Sequence, residues 1–268
     1  MDVTTQAGRA GNSEWMDAAV RVGLVSYGVV HLLIAWLGLR LAFGGGGGSA
    51  SSQGAFHELA RNALGRASLY VVAFGFLALV VWQGLEAAQG HRDEEGRKRL
   101  FKRVASGGKV VVYAVLGYSA LSTAQGSSSG GGGAQGWTAR IMGAPGGPVL
   151  VALVGIGVLV VAGFLAYRGW TEKFRSKLDA QGQRGSAGTA YVRLGKAGYL
   201  SKGVALGVVG GLFVTAAATH DPQKSGGLDQ ALHTLLQQPF GVALLAVVAL
   251  GLACYGLFCF AWARHLDR

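Results

Sequence analysis

Six stretches of the chain are apolar almost without interruption: residues 20–43, 67–88, 104–125, 148–168, 197–219 and 240–263. Each is close to the ~20 residues that carry a helix across a ~30 Å hydrocarbon core. None shows the strict alternation of a barrel strand, and backbone groups in lipid must be paired within their own segment. The pattern predicts an all-α, polytopic membrane protein with six transmembrane helices.

The segments repeat. "RVGLVSYGVVHLLIAWLGL" (21–39), "RVASGGKVVVYAVLGYSAL" (103–121) and "KAGYLSKGVALGVVGGLFV" (196–214) align so that Arg21, Arg103 and Lys196 coincide, as do Tyr27, Lys109 and Lys202 six residues later. The alternate helices align without gaps through Gly65, Gly147 and Gly241, then Gly75, Gly157 and Gly251, then Trp82, Phe164 and Phe258. Pro145 and Pro239 precede the first of these glycines by two residues. Three tandem helix pairs follow, at 17–90, 101–170 and 193–266. A pair returns to its starting side, so the repeats are parallel. Approximate threefold pseudo-symmetry is the simplest arrangement.

Between paired helices lie a glycine-serine spacer and a short amphipathic piece. "GGGGGSASSQG" and "GSSSGGGGAQG" are spacers on composition. "AFHELARNAL" is apolar at 55, 56, 59, 60, 63 and 64, and "LDQALHTLLQQP" at 228, 231, 232, 235 and 236, which is helical spacing too short to span. These predict interfacial helices on the outer face, with His57 and His233 aligned. "WTARIMGAPG" is the weaker second copy.

Charge then orients the chain. Only 14% of residues are charged, mean hydropathy is +0.38, and the net charge is +11. The excess is not evenly spread. Arg92, Arg97, Lys98, Arg99, Lys102 and Arg103 fall in 89–103, and Arg168, Lys173, Arg175, Lys177, Arg184, Arg193 and Lys196 in 168–196. The intervening loops carry Arg61 and Arg66 with the flanking Arg40, then Arg140, then Lys224. Lysine and arginine gather on cytoplasmic loops, so both termini and both basic segments are expected inside a bacterial inner (plasma) membrane. Anionic headgroups are their expected partners, and a nucleic-acid role is not needed to account for the charge. "GHRDEEGRKRLFKR" reads as a solvated cytoplasmic loop. Asp2, Glu14 and Asp17 precede the first apolar run where a signal peptide would be basic, so that run is expected to be a retained helix.

Three tandem copies of a basic residue, small residues and "GVV[YH]LLI", each followed by a Gly-rich loop and a second helix with "P-x-G…G", resemble the bacterial membrane family called domain of unknown function 1206. The resemblance covers residues 17–266. Repeat one fits best through "YGVVHLLIAWLGLRLAFG", and repeat two departs at Val110, where the others have Gly28 and Gly203. It implies two helices per copy and no assigned activity. The layout of mitochondrial carriers is similar, but no proline here begins their P-x-[DE]-x-x-[KR] signature.

Candidate chemistry is sparse. Lys109 and Lys202 lie six residues, about 9 Å, past the basic start of their helices. An ammonium there can snorkel back to headgroups or face a shared interior and hold an anion. Snorkelling is the favoured expectation, with Glu86 the nearest acid. Tyr27 fills the same position in repeat one, at a depth that suits an interfacial tyrosine. His31, aligned with Tyr113, reads as a packed interior residue, because no second histidine at its depth makes a haem site and no ligand cluster makes a zinc site. Cys254 and Cys259 are off one face of the last helix and read as packing residues. Gly203, Gly207 and Gly211 form small-xxx-small faces for helix association. No nucleophile elbow, Walker loop or metalloprotease helix occurs. The expectation is a non-enzymatic structural or accessory membrane component without cofactors, contacting lipid and either a membrane-protein partner or a second copy. The alternative is a small transporter or channel using a bundle interior with Lys109 and Lys202.

Overall fold

The computed structural model describes residues 3–44, 50–89, 96–126 and 133–266. Among them are nine α-helices: α1 (Val3–Ala42), α2 (Ser52–Ala60), α3 (Ala63–Gln89), α4 (Gly96–Ala124), α5 (Gly133–Met142), α6 (Gly147–Trp170), α7 (Gly185–Thr219), α8 (Leu228–Leu236) and α9 (Gly241–Arg264). A 3-10 turn at Lys173–Lys177 follows α6 and another at Pro222–Lys224 follows α7. Extended pairing among the described residues is one isolated bridge, Leu178 with Leu266.

Among the described residues, five helices are long and apolar enough to cross a membrane: Val20–Ala42 within α1, Ala63–Leu85 within α3, and Gly147–Trp170, Gly185–Thr219 and Gly241–Arg264. The expected sixth, 104–125, is helical to Ala124 but is not among them. Gly107, Gly108 and Lys109 near its start, and Ser119, Ser122 and Thr123 near its end, dilute its apolar run. A further expectation is revised: the backbone of the basic stretch from Gly96 to Arg103 is the first two turns of α4, not loop. The first helix begins at Val3, and its spanning part, Val20–Ala42, matches the expected apolar window. The spacer positions 45–49 and 127–132 and the loop residues 90–95 lie outside the described residues.

The short amphipathic pieces are helices α2, α5 and α8, the weak second copy included. In α8 the apolar face is buried through Ala231, Leu232 and Leu235. Asp229 beside it accepts a 2.7 Å hydrogen bond from the backbone N–H of Ala50. The helices α1, α4 and α7, which open the three repeats, stop on left-handed residues, Gly44 (φ 78°), Gly126 (φ 77°) and His220 (φ 54°). That conformation ends a helix by closing its last carbonyls.

The aligned glycines at 65, 147 and 241 have one steric reason. A Cβ at Gly65 would overlap the carbonyl oxygen of Leu59, at Gly147 that of Ile141, and at Gly241 that of Leu236. Each tight turn from the short helix into the second long helix thus requires hydrogen at that place. At the preceding residue the repeats differ: Gly146 takes φ 74°, whereas Phe240 takes φ 59° with its ring 89% exposed. A left-handed backbone costs a non-glycine residue about 1–2 kcal/mol. Phe240→Gly is therefore expected to raise the unfolding temperature of the purified protein. A fall instead would mean that the exposed ring makes a stabilising contact.

By contacts the chain forms two compact units, Met1–Tyr27 with Leu59–Ser128, and Gly28–Glu58 with Ser129–Arg268; α1 contributes to both. In the first, α1 packs on α3 and α3 on α4. In the second, α6 packs on α7, α7 on α9, and the later half of α1 on α9. Equivalent repeat positions make these contacts. Gly75 faces Ser26 in the first unit, and Gly251 faces Ser201, its counterpart, in the second. Within the second unit, Gly28 lies against Gly256 and Phe260, and the aligned Gly203 lies against the aligned Ala162 and Ala166. Small residues let backbones approach where lipid supplies no hydrophobic drive between helices.

Candidate functional site

The register position shared by Tyr27, Lys109 and Lys202 has two different fates. In the first unit Lys109 is exposed on α4. Tyr27 is half-buried, its ring edge-on to Phe76 at 6.2 Å and to Tyr113 at 5.8 Å, and Phe76 stacks on Tyr113 at 6.2 Å. In the second unit the Lys202 ammonium ends among side chains of two other helices. Its Nζ lies 3.2 Å from His31 Nε2 on α1 and 4.2 Å from the ring centre of Tyr255 on α9. His31 is 7% exposed, and its ring lies 4.8 Å from that of Tyr255.

Both units thus use the same pair of register positions. His31 and Tyr113 are aligned, one helical turn beyond Tyr27 and Lys109. Tyr27 meets Tyr113 in the first unit, and Lys202 meets His31 in the second. An aromatic pair in one unit is replaced by a lysine–histidine pair in the other. The ammonium donates to Nε2 when the imidazole is neutral with its proton on Nδ1. The face of Tyr255 adds a cation–π attraction of about 0.5–2 kcal/mol.

Around this pair lies an aromatic and basic cluster that the repeat pattern does not announce. Tyr199, one turn before Gly203 on α7, is buried against Phe174, Tyr255 and Phe258, with ring centres 5.2, 5.3 and 6.0 Å away. Phe174 and Leu178 come from the segment between α6 and α7 and are fully buried. Lys177 Nζ donates to the Tyr199 hydroxyl at 2.7 Å and sits 3.5 Å over the ring of Trp262. Arg168 Cζ stands 5.8 Å from the Tyr199 ring. The basic segment 168–196 is therefore not an open loop: it is the end of α6, a folded cap at 171–184 and the first turns of α7. It is tied down further by Gln183, which donates to the Leu178 carbonyl at 2.7 Å, and by Asp179, paired with His265 at 3.3 Å. The signal for it in the sequence is the apolar pair Phe174 and Leu178 flanking a lysine.

Cys259 is buried and Cys254 half-buried, both as free thiols. Among the described residues no three His, Cys, Asp or Glu side chains gather as metal ligands. The Glu86 side chain lies outside the described residues. His57 is exposed on α2 and His233 half-buried on α8.

A profile of the family described as Domain of Unknown Function (DUF1206) matches three times, at residues 22–90, 104–172 and 197–265. The chain belongs to that family. Each DUF1206 copy contains two long helices with a short helix between them. The chain is also similar to an uncharacterized protein, YxxB, of Bacillus subtilis (strain 168). The two are 30% identical over 247 residues, 91% of this chain and 89% of the relative. No solved structure matches the chain.

Proposed function

We propose that this DUF1206 protein is a non-enzymatic, structural or accessory component of a bacterial plasma membrane. It has six crossings as three parallel helix pairs, approximately threefold in their repetition, with both termini cytoplasmic. The observation that carries this reading is α6: it is apolar over 24 residues, and only 17% of its most apolar stretch is buried. An apolar helix so little covered needs lipid or another membrane protein as its solvent. The repeated glycine contacts and the Tyr27–Tyr113 and Lys202–His31 correspondence support the threefold reading. With α4 as a sixth crossing, Lys109 would stand near its cytoplasmic end. The relative in Bacillus subtilis supports a bacterial origin.

The transporter reading draws less support. Two cavities among the described residues are open, shallow and apolar. One of about 660 Å³ lies between Phe43, Leu236 and Phe240, and one of about 380 Å³ runs along Tyr70, Phe74 and Tyr118. Neither is lined by Lys109 or Lys202.

Two measurements test the reading together. Alkaline phosphatase fused after residues 46, 130 or 226 is expected to be active, and after 93 or 181 inactive. Sealed liposomes carrying the purified protein are expected to pass protons, potassium and chloride no faster than empty ones. An inactive fusion after 46, 130 or 226, an active one after 93 or 181, or solute flux above the empty vesicles would overturn it.

A further inference from the structure

At the basic end of the second unit, a stripe of exposed apolar side chains runs along α6. Leu153, Ile156, Val160, Phe164 and Tyr167 are each 50–60% exposed. They are spaced three or four residues apart, so they lie on one face. From Ile156 to Tyr167 the stripe is about 16 Å long at ~1.5 Å per residue, close to one leaflet of a ~30 Å core. It ends on cations. Lys173 Nζ returns from the 3-10 turn to donate to the Tyr167 hydroxyl at 3.0 Å and lies 4.8 Å from the ring centre. Arg168 follows Tyr167 directly in the chain.

Arg168 is half-buried, with its guanidinium carbon 5.8 Å from the Tyr199 ring. Its Nε is buried without a hydrogen-bond partner among the described residues, as is that of Arg103, so a headgroup from outside meets the rest of the guanidinium and not Nε. The acids of segment 168–196 are engaged elsewhere: Glu172 with Arg175 at 3.2 Å and Lys196 at 3.3 Å, and Asp179 with His265. The segment holds seven Lys and Arg side chains against those two carboxylates.

We propose that Arg168 and Lys173 hold the phosphate of one anionic phospholipid whose acyl chain lies on the Ile156–Val160–Phe164–Tyr167 stripe of α6. Guanidinium–phosphate hydrogen bonds are among the stronger ones, being charge-assisted and often bidentate. A free phosphate has the same chemistry as the headgroup. The lipid is the occupant because the apolar stripe leads directly to the cations and an inorganic ion would leave it bare. This site rests on the membrane reading above and adds a located, headgroup-selective contact to it.

The test uses the full chain, delipidated in a neutral detergent and then placed in nanodiscs of phosphatidylcholine with or without phosphatidylglycerol. Native mass spectrometry reads lipid retention, and thermal unfolding reads protection. The expected result is that phosphatidylglycerol is retained and raises the unfolding temperature, while phosphatidylcholine alone and inorganic phosphate do not. R168Q/K173Q is expected to lose about tenfold in phosphatidylglycerol affinity. Arg168→Lys should keep part of it, and Lys224→Gln, exposed in the turn after α7, should keep all of it. A double variant that folds in phosphatidylcholine discs yet retains phosphatidylglycerol like the parent overturns the site. So does protection by inorganic phosphate equal to that by the lipid. Failure to enter discs of either composition would sink the membrane reading itself, and the site with it.

Discussion

Gly198→Leu is expected to prevent the second unit from assembling. A Cβ at Gly198 would stand 2.6 Å from Cα and 2.7 Å from N of Tyr255, and these are backbone atoms of α9 that cannot rotate away. Only a separation of α7 from α9 makes room, and that would pull Tyr255 from Lys202 and from Tyr199. Overpacking a core costs typically 1–3 kcal/mol, and a branched side chain against backbone belongs at or above the top of that range, about 3 kcal/mol or more. Gly211, on the same helix, is the matched control, since nothing lies within 4 Å of a Cβ built there. Gly211→Ala should be neutral or gain up to about 1 kcal/mol from helix propensity. Thermal unfolding of the two variants in one detergent, followed by circular dichroism, compares them directly. Equal behaviour would mean that α7 and α9 are not in backbone contact at Gly198.

The second large effect is expected at Lys202 and His31. A hydrogen bond to a charged group is worth roughly 1.5–3 kcal/mol, and removing one buried partner adds the desolvation of the group left behind. His31→Leu and Lys202→Leu should each cost about 2–3 kcal/mol on that basis. The double variant should cost less than the sum of the two, by a coupling of about 1.5–3 kcal/mol. The repeats suggest a sharper form of the same test. Tyr27 and Tyr113 occupy these register positions in the first unit with rings 5.8 Å apart. Installing H31Y together with K202Y should therefore recover more stability than the paired leucines. Additive single effects, with no recovery by the tyrosines, would show that the two side chains do not meet.

Much of the fold is legible from periodicity, because a helix pair repeated three times exposes its own register. The aligned glycines at 65, 147 and 241 are visible as letters, but their reason is not. It lies in the carbonyls of Leu59, Ile141 and Leu236 five or six residues back, which only a three-dimensional turn brings close. Apolarity overstates α4, since glycine, serine and threonine interrupt a run that Val110, Val111 and Val112 make look continuous. The site is less legible. Lys202 and His31 are 171 residues apart and belong to different copies, so no local pattern couples them. Tyr255, Phe174 and Lys177 have no aligned counterparts that would single them out. The cap between α6 and α7 looks like charge alone because its buried anchors, Phe174 and Leu178, are two side chains among many polar ones.

If one register of the repeat produces one helix contact wherever it recurs, cross-linking in native membranes will show it most directly. In a background lacking Cys254 and Cys259, paired cysteines replace His31 and Lys202 in one variant and Tyr27 and Tyr113 in another, and a short bifunctional thiol reagent is added. Val204→Cys in place of Lys202→Cys, and Val111→Cys in place of Tyr113→Cys, serve as controls. A shift of two residues turns a side chain about 200° around its helix, and both valines are exposed, at 47% and 62%. Efficient cross-links are expected within the 31–202 and 27–113 pairs, and none within the shifted pairs. A 27–113 link without a 31–202 link, or neither, would contradict the shared register.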